Sequence, residues 1–175
     1  MTQENKPAHK GLQWLKTLLG YGLFILVVSV ALDAFRSREM PETLPLQTVQ
    51  SLAGSQLDIA AMSMERPVIL YYWASWCGVC PLVSGTVDGF SDSEQVVTVA
   101  LQSGNNTQVK QYLQNKGYGF EVVNDPSGAL ARSLGVSATP TLLFIYQGEI
   151  RSSTTGVTSW PGIWLRLWLT KMNLI

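Results

Sequence analysis

The sequence predicts an α/β domain, a mixed central sheet with helices on both sides, behind an N-terminal transmembrane helix. Three observations predict it. Apolar runs of strand length at 68–72, 96–101 and 141–146 alternate with stretches that carry apolar residues at helical spacing. The only two cysteines, Cys77 and Cys80, stand where the first run hands over to a helical stretch. Residues 17–32 hold no charge at all.

The cysteines organise the rest. Trp73-Ala74-Ser75-Trp76-Cys77-Gly78-Val79-Cys80-Pro81 follows Val68-Ile69-Leu70-Tyr71-Tyr72, a β-branched, aliphatic and aromatic run without charge. At the first turn of a helix, free backbone N–H groups and the helix dipole favour negative charge. Cys77 placed there is expected to titrate below the free thiol value of about 8.5. Cys80, one turn along the same face, is expected to attack a mixed disulfide formed at Cys77. The spacing points to thiol–disulfide exchange. Three other readings are weaker. A structural disulfide over so short a loop constrains little chain. A zinc site needs about four ligands, and the only histidine, His9, lies across the apolar stretch. Two inert cysteines would simply pack as small hydrophobes.

Composition narrows the partners. Lys+Arg and Asp+Glu are equal at 12 each, so there is no basic excess to make a nucleic-acid face. Hydrophobic content of 46% against 14% charged residues is apolar for a soluble protein, and much of the surplus sits in 17–32. One domain plus an appendage fits 175 residues.

The expected organisation is a cytoplasmic tail at 1–11, an anchor at 12–35, a linker at 36–43 and the catalytic domain at 44–175. Lys16 and Asp33 bound sixteen uncharged residues, short of the ~20 of a spanning helix. Apolar flanks and a snorkelling Lys16 supply the missing length. Lys6, Lys10 and Lys16 precede the span and Arg36 and Arg38 follow it, which leans to a cytoplasmic N-terminus. A cleaved signal peptide is the alternative, since Ser29-Val30-Ala31 offers small residues for cleavage.

A β-hairpin is expected from 46–49 and 57–59 around Ala53-Gly54-Ser55. Met62 and Met64 are expected on one face of an extended segment, where two thioethers suit Cu(I), although core packing is their ordinary use. The helix after Cys80 presents Val83, Val87 and Phe90. The polar stretch 102–107 lies at a strand's carboxyl end, the side that faces the active site in an open α/β sheet. Val109, Tyr112 and Leu113 form a helical stripe, and 120–123 a short strand. Asp125 is expected to cap a helix with Pro126 at its first position and Gly135 at its end. Residues 141–146, a Gly148 turn and Ile150 onward make a second hairpin. In the last helix Trp160, Ile163, Trp164, Leu167 and Trp168 share a face expected to pack on the sheet. Leu165 and Leu169 broaden it, leaving apolar surface for a partner or the bilayer.

Trp76-Cys77-Gly78-Val79-Cys80-Pro81 after an apolar strand, with Thr139-Pro140 before another, resembles the thioredoxin superfamily over residues 44–172. Asn124-Asp125-Pro126-Ser127-Gly128, then Gly135-Val136 and Thr139-Pro140-Thr141, resembles its membrane-tethered extracytoplasmic branch, and within it the suppressor of copper sensitivity D type. The resemblance implies a thioredoxin-like fold, a periplasmic domain on the inner membrane and a protein disulfide oxidoreductase. Cys77 and Cys80 are then the catalytic pair. Trp76, Gly78, Val79, Thr139 and Pro140 meet the substrate, with a cis bond at Thr139-Pro140. No cofactor is implied. The partners implied are thiol- or disulfide-bearing envelope proteins and a membrane electron donor.

Three positions depart from relatives. Many carry an acid or amide six positions before the first cysteine, where this chain has Tyr71. Haem-maturation reductases carry glutamates where it has Val83 and Thr141, which disfavours that role. Gly78-Val79 holds neither a histidine nor a second proline, so an extreme oxidant is not indicated and a reducing or isomerase-like role is expected. A thiol oxidase partner and a non-catalytic Cu(I) scavenger are the alternatives.

Overall fold

The computed structural model describes Trp14, Thr17, Gly20, Tyr21, Phe24, Val28, Leu44 and residues 48–174. Two compact units divide the chain, Met1–Arg36 and Ser37–Ile175. In the first, the described residues are helical and exposed. Among the described residues no helix is long and apolar enough to cross a membrane. Most of the anchor expected at 12–35 lies outside the described residues, as do His9 and the linker at 36–43.

The second unit runs β1 (Val49–Gln50), β2 (Gln56–Leu57), α1 (Ile59–Glu65), β3 (Val68–Trp73), α2 (Cys80–Phe90), β4 (Gln95–Leu101), α3 (Asn106–Lys116), β5 (Glu121–Asp125), α4 (Ala129–Ser133), β6 (Thr141–Tyr146), β7 (Glu149–Thr155), α5 (Trp160–Lys171). Five strands form one sheet in the order β5-β4-β3-β6-β7. β3, β4 and β5 are parallel; β6 runs antiparallel to β3 and to β7. This is the mixed sheet expected. β1 and β2 pair separately as a hairpin.

β3 is central and buried on both faces, all six residues at 0% exposure. Its side chains alternate, as a period of two requires. Ile69, Tyr71 and Trp73 face a core closed by Val83, Val87 and Phe90 of α2, Val109 of α3, and Ile163 and Leu167 of α5. Val68, Leu70 and Tyr72 face the opposite core, with Ile59 of α1 and Ala131, Leu134 and Val136 around α4. Trp73 stacks on Tyr112, which explains the aromatic in the α3 stripe.

Three local expectations are corrected. Residues 59–65 are a helix rather than an extended segment, capped by Asp58, whose Oδ1 accepts from Ala61 N at 2.9 Å. Two residues apart on a helix, Met62 and Met64 point different ways: Met62 packs on the core and Met64 is 61% exposed. The shared thioether face therefore does not form. Asp125 ends β5 instead of capping at Pro126, because Leu101 pairs with it in the sheet. Its Oδ2 still accepts from Ala131 N at 2.9 Å, so the carboxylate serves α4 from the strand. In α5 the buried residues are Ile163, Leu167 and Thr170; Trp164 and Trp168 face outward, while half-exposed Trp160 stacks on Phe90 of α2.

α2 is tied to the far edge of the sheet by one side chain. Asp88 Oδ1 accepts from Gly119 N at 2.8 Å and Phe120 N at 3.0 Å, holding the turn into β5. Asp88→Ala removes both charge-assisted bonds, which predicts a loss of about 1–3 kcal/mol. Urea titration reads it as a lower midpoint with unchanged slope.

Candidate active site

The carboxyl end of β3 delivers the chain into the dithiol segment. Trp73 is fixed by its indole, which donates to Thr98 Oγ1 at 3.1 Å, and Ala74 follows fully buried. The next residues turn out of the sheet through Cys77 N to Ala74 O, 3.2 Å, and Cys80 N to Cys77 O, 3.3 Å. A disulfide joins Cys77 and Cys80, with 5.4 Å between their Cα atoms. Cys77 occupies the turn ahead of α2 and Cys80 is the first helical residue, so the pair does not share a helix face as expected. The cause is local: Pro81 inside the first turn starts the helix there.

The two sulfurs differ in access. Cys77 keeps 8% of its surface, whereas Cys80 has none. Exposed Trp76, Gly78 and Val79 stand around Cys77. A Cβ at Gly78 would meet nothing within 4 Å, so this position borders open space beside the disulfide.

The cis bond at Thr139-Pro140 is present, as expected. The Thr139 carbonyl oxygen lies 3.7 Å from Cys77 Sγ. Thr139 Oγ1 is buried with no hydrogen-bond partner. Buried Pro140 accepts from Gly156 N at 2.8 Å through its carbonyl oxygen, locking this loop to the end of β7. Thr141 Oγ1 donates to Ala138 O at 2.9 Å from the other side. The seven residues named from the sequence therefore lie on two adjoining loops and, for Cys80, on the first position of α2.

Sequence reasoning placed 102–107 on the active-site side but did not find which of its residues support the dithiol, nor that Tyr71 does. The polar stretch after β4 buttresses the site: Ser75 N donates to Ser103 Oγ at 2.9 Å and Trp76 Nε1 to Gln102 O at 3.1 Å. Gln102 holds a positive φ of 45° to present that carbonyl. Its position at the carboxyl end of a parallel strand was the available signal. Tyr71, beneath the helix start, donates to Cys80 O at 3.3 Å and shares a hydrogen with Ser84 Oγ at 3.0 Å. Burial pushes its phenol far above the ordinary tyrosine range, against the lowering effect of the Ser84 bond. A hydroxyl so held is a strut for the first turn of α2 rather than a base for Cys80. Tyr72, one residue on, points into the other core with its hydroxyl unpartnered, and burial, then the Asp125 carboxylate, raises it too.

Electrostatics near Cys77 are balanced. The dipole of α2 favours a thiolate. The N–H groups of Cys80 and Leu82 are already spent on Cys77 O and Val79 O, and Pro81 has none. An oxygen beside the sulfur, here that of Thr139, accepts an S–H and repels a thiolate.

The two tyrosines give opposite outcomes. Tyr71→Phe is expected to cost about 1–2 kcal/mol at neutral pH, while Tyr72→Phe leaves the protein at least as stable, since it deletes an unpaired buried hydroxyl. Both phenols hold their protons in the folded state after the unfolded chain loses its own near 10.0. Stability is thus complete below that pH and falls above it. Denaturant titrations at rising alkaline pH should show the decline, and Tyr71→Phe/Tyr72→Phe should flatten it.

Comparison with known proteins identifies the scaffold that carries this dithiol. Residues 41–153 match the AhpC/TSA family. The chain is 35% identical over 158 residues to the thioredoxin-like protein of Haemophilus influenzae, covering 90% of this chain and 95% of that one. It is 31% identical over 105 residues to the thiol:disulfide interchange protein DsbE of Xylella fastidiosa, covering 59% of this chain and about half, 51%, of that relative. The exposed lipoprotein thioredoxin Etrx1 of Streptococcus pneumoniae superimposes with a TM-score of 0.63 at 23% identity, over 70% of this chain and 97% of that one. A disulfide at the end of a central parallel strand, capped by a proline loop, thus sits on a shared scaffold. The chain belongs to the AhpC/TSA family and is a thioredoxin-like protein disulfide oxidoreductase.

Proposed function

We propose that this protein is anchored in the inner membrane by residues 12–35, faces the periplasm, and passes electrons to disulfides of envelope proteins. Cys77 as thiolate attacks a substrate disulfide, forming a Cys77 mixed disulfide and releasing one substrate thiolate. Cys80 as thiolate then attacks the Cys77 sulfur. The second substrate thiol leaves, the Cys77–Cys80 disulfide forms, and two electrons have moved to the substrate. A membrane dithiol donor reduces the pair again by the same exchange in reverse. Trp76, Gly78 and Val79 border the entering chain, and Thr139 and Pro140 align its backbone.

The reducing direction rests on the surroundings of Cys77. A strong oxidant is one whose reduced form is stabilised. Here the N–H groups of Cys80 and Leu82 are occupied, a carbonyl oxygen lies 3.7 Å from the sulfur, and no histidine stands between the cysteines. The thiolate gains little, so the disulfide is the preferred state and the dithiol gives electrons readily. The extracytoplasmic setting is supported by the uncharged stretch at 17–32 and by the exposed lipoprotein that shares the fold. A role in copper tolerance follows the resemblance to the suppressor of copper sensitivity D type, through repair of envelope disulfides.

Equilibration with glutathione should place the Cys77–Cys80 couple nearer about −270 mV than about −120 mV. A value at the oxidising end would overturn the direction. Cys80→Ser should trap mixed disulfides with envelope proteins while Cys77→Ser traps few. Equal trapping would remove the assignment of Cys77 as the attacking thiol.

A further inference from the structure

The outer face of α5 carries Trp160, Trp164, Trp168 and Met172 one turn apart, exposed by 54%, 48%, 43% and 56%. Leu165 and Leu174, 48% and 61% exposed, widen the stripe. The indoles of Trp73 and Trp76 donate to Thr98 and Gln102, whereas those of α5 donate to nothing among the described residues. Residues 152–175 hold no Asp or Glu; Arg166 and Lys171 are their only charges.

We propose that this stripe lies on a phospholipid surface, with the Trp164 and Trp168 rings at headgroup level. An exposed indole with a free N–H suits a boundary that is apolar on one side and rich in oxygen acceptors on the other. A dry protein seam would instead have to supply a placed acceptor for each N–H or leave it buried and unpaired. Arg166 is held by Ser152 and Ser153 and Lys171 by Glu94, and residues 152–175 add no carboxylate of their own to repel anionic lipid. The inference rests on the anchored reading above: the eight residues 36–43 reach at most about 30 Å, which keeps the domain within range of the bilayer.

The test uses the full chain carrying Trp14→Phe, which removes the indole of the anchor segment, reconstituted into phosphatidylcholine–phosphatidylglycerol vesicles. Acyl-chain-brominated lipid should quench its tryptophan emission, and Trp164→Ser/Trp168→Ser should lose most of that quenching. Circular dichroism checks that the variant is folded, and Trp164→Ser alone, expected to lose a smaller share, serves if the double variant is not. Quenching that is absent, or equal in parent and variant, overturns the lipid contact. A cross-linked dimer lost in the variant, without quenching, assigns the stripe to a second copy and also overturns it. Alkaline carbonate separates the two readings. A chain that resists extraction but shows no quenching keeps the anchor and loses the contact. A chain that is quenched in vesicles but extracted by carbonate keeps the contact and loses the anchor.

Discussion

The structure depends on keeping one strand dry. β3 is buried on both faces from Val68 to Trp73, and neither core can close without it. Full burial of each large apolar side chain is worth about 1.5–3 kcal/mol, so this strand is where the sheet's position is least negotiable. Its backbone is paired along both edges, to β4 and to β6. A segment held this way ends at a defined place, and the disulfide begins four residues later. Reactivity is thus mounted on the most rigid part of the fold.

Rigidity reaches the sulfurs through polar contacts from several elements. Tyr71 rises from β3 to the Cys80 carbonyl, Gln102 and Ser103 brace the turn from the end of β4, and the Pro140 loop closes from β6. Each contributor is the last or next residue of a sheet strand or its extension, apart from Tyr71, which acts from inside one. The buried cysteine is therefore fixed while its partner keeps a small opening to solvent. That asymmetry is what a two-step exchange needs: one sulfur that partners can reach and one that only the first sulfur can meet.

Tyr71 shows how a substitution at a buried position changes a role. A carboxylate there would sit uncompensated in an apolar core at high cost. A phenol keeps its proton, satisfies Cys80 O and Ser84 Oγ, and packs as an aromatic. The consequence is a sturdier helix start with no resident base of the kind many relatives carry.

Much was legible in the chain itself. Val68-Ile69-Leu70-Tyr71-Tyr72 and the spacing of Cys77 and Cys80 carry local chemistry, so the strands and the dithiol could be named from residue types, while Thr139-Pro140 was legible as part of the site only through the family resemblance. What failed was short or relational. Seven residues of α1 hold too few turns to show a helical period, so Met62 and Met64 were read as extended. The Trp160, Trp164 and Trp168 stripe has the same periodicity whether it faces inward or outward. Only packing revealed that Ile163 and Leu167 fill the space against the sheet, leaving Trp164 and Trp168 outside and Trp160 stacked on Phe90. The supports of the site, Gln102, Ser103 and the Tyr71–Ser84 pair, come from segments distant in sequence and adjacent only once the sheet forms. Local chemistry is written residue by residue, whereas contacts across the sheet follow from strand order and register, which one chain does not spell out.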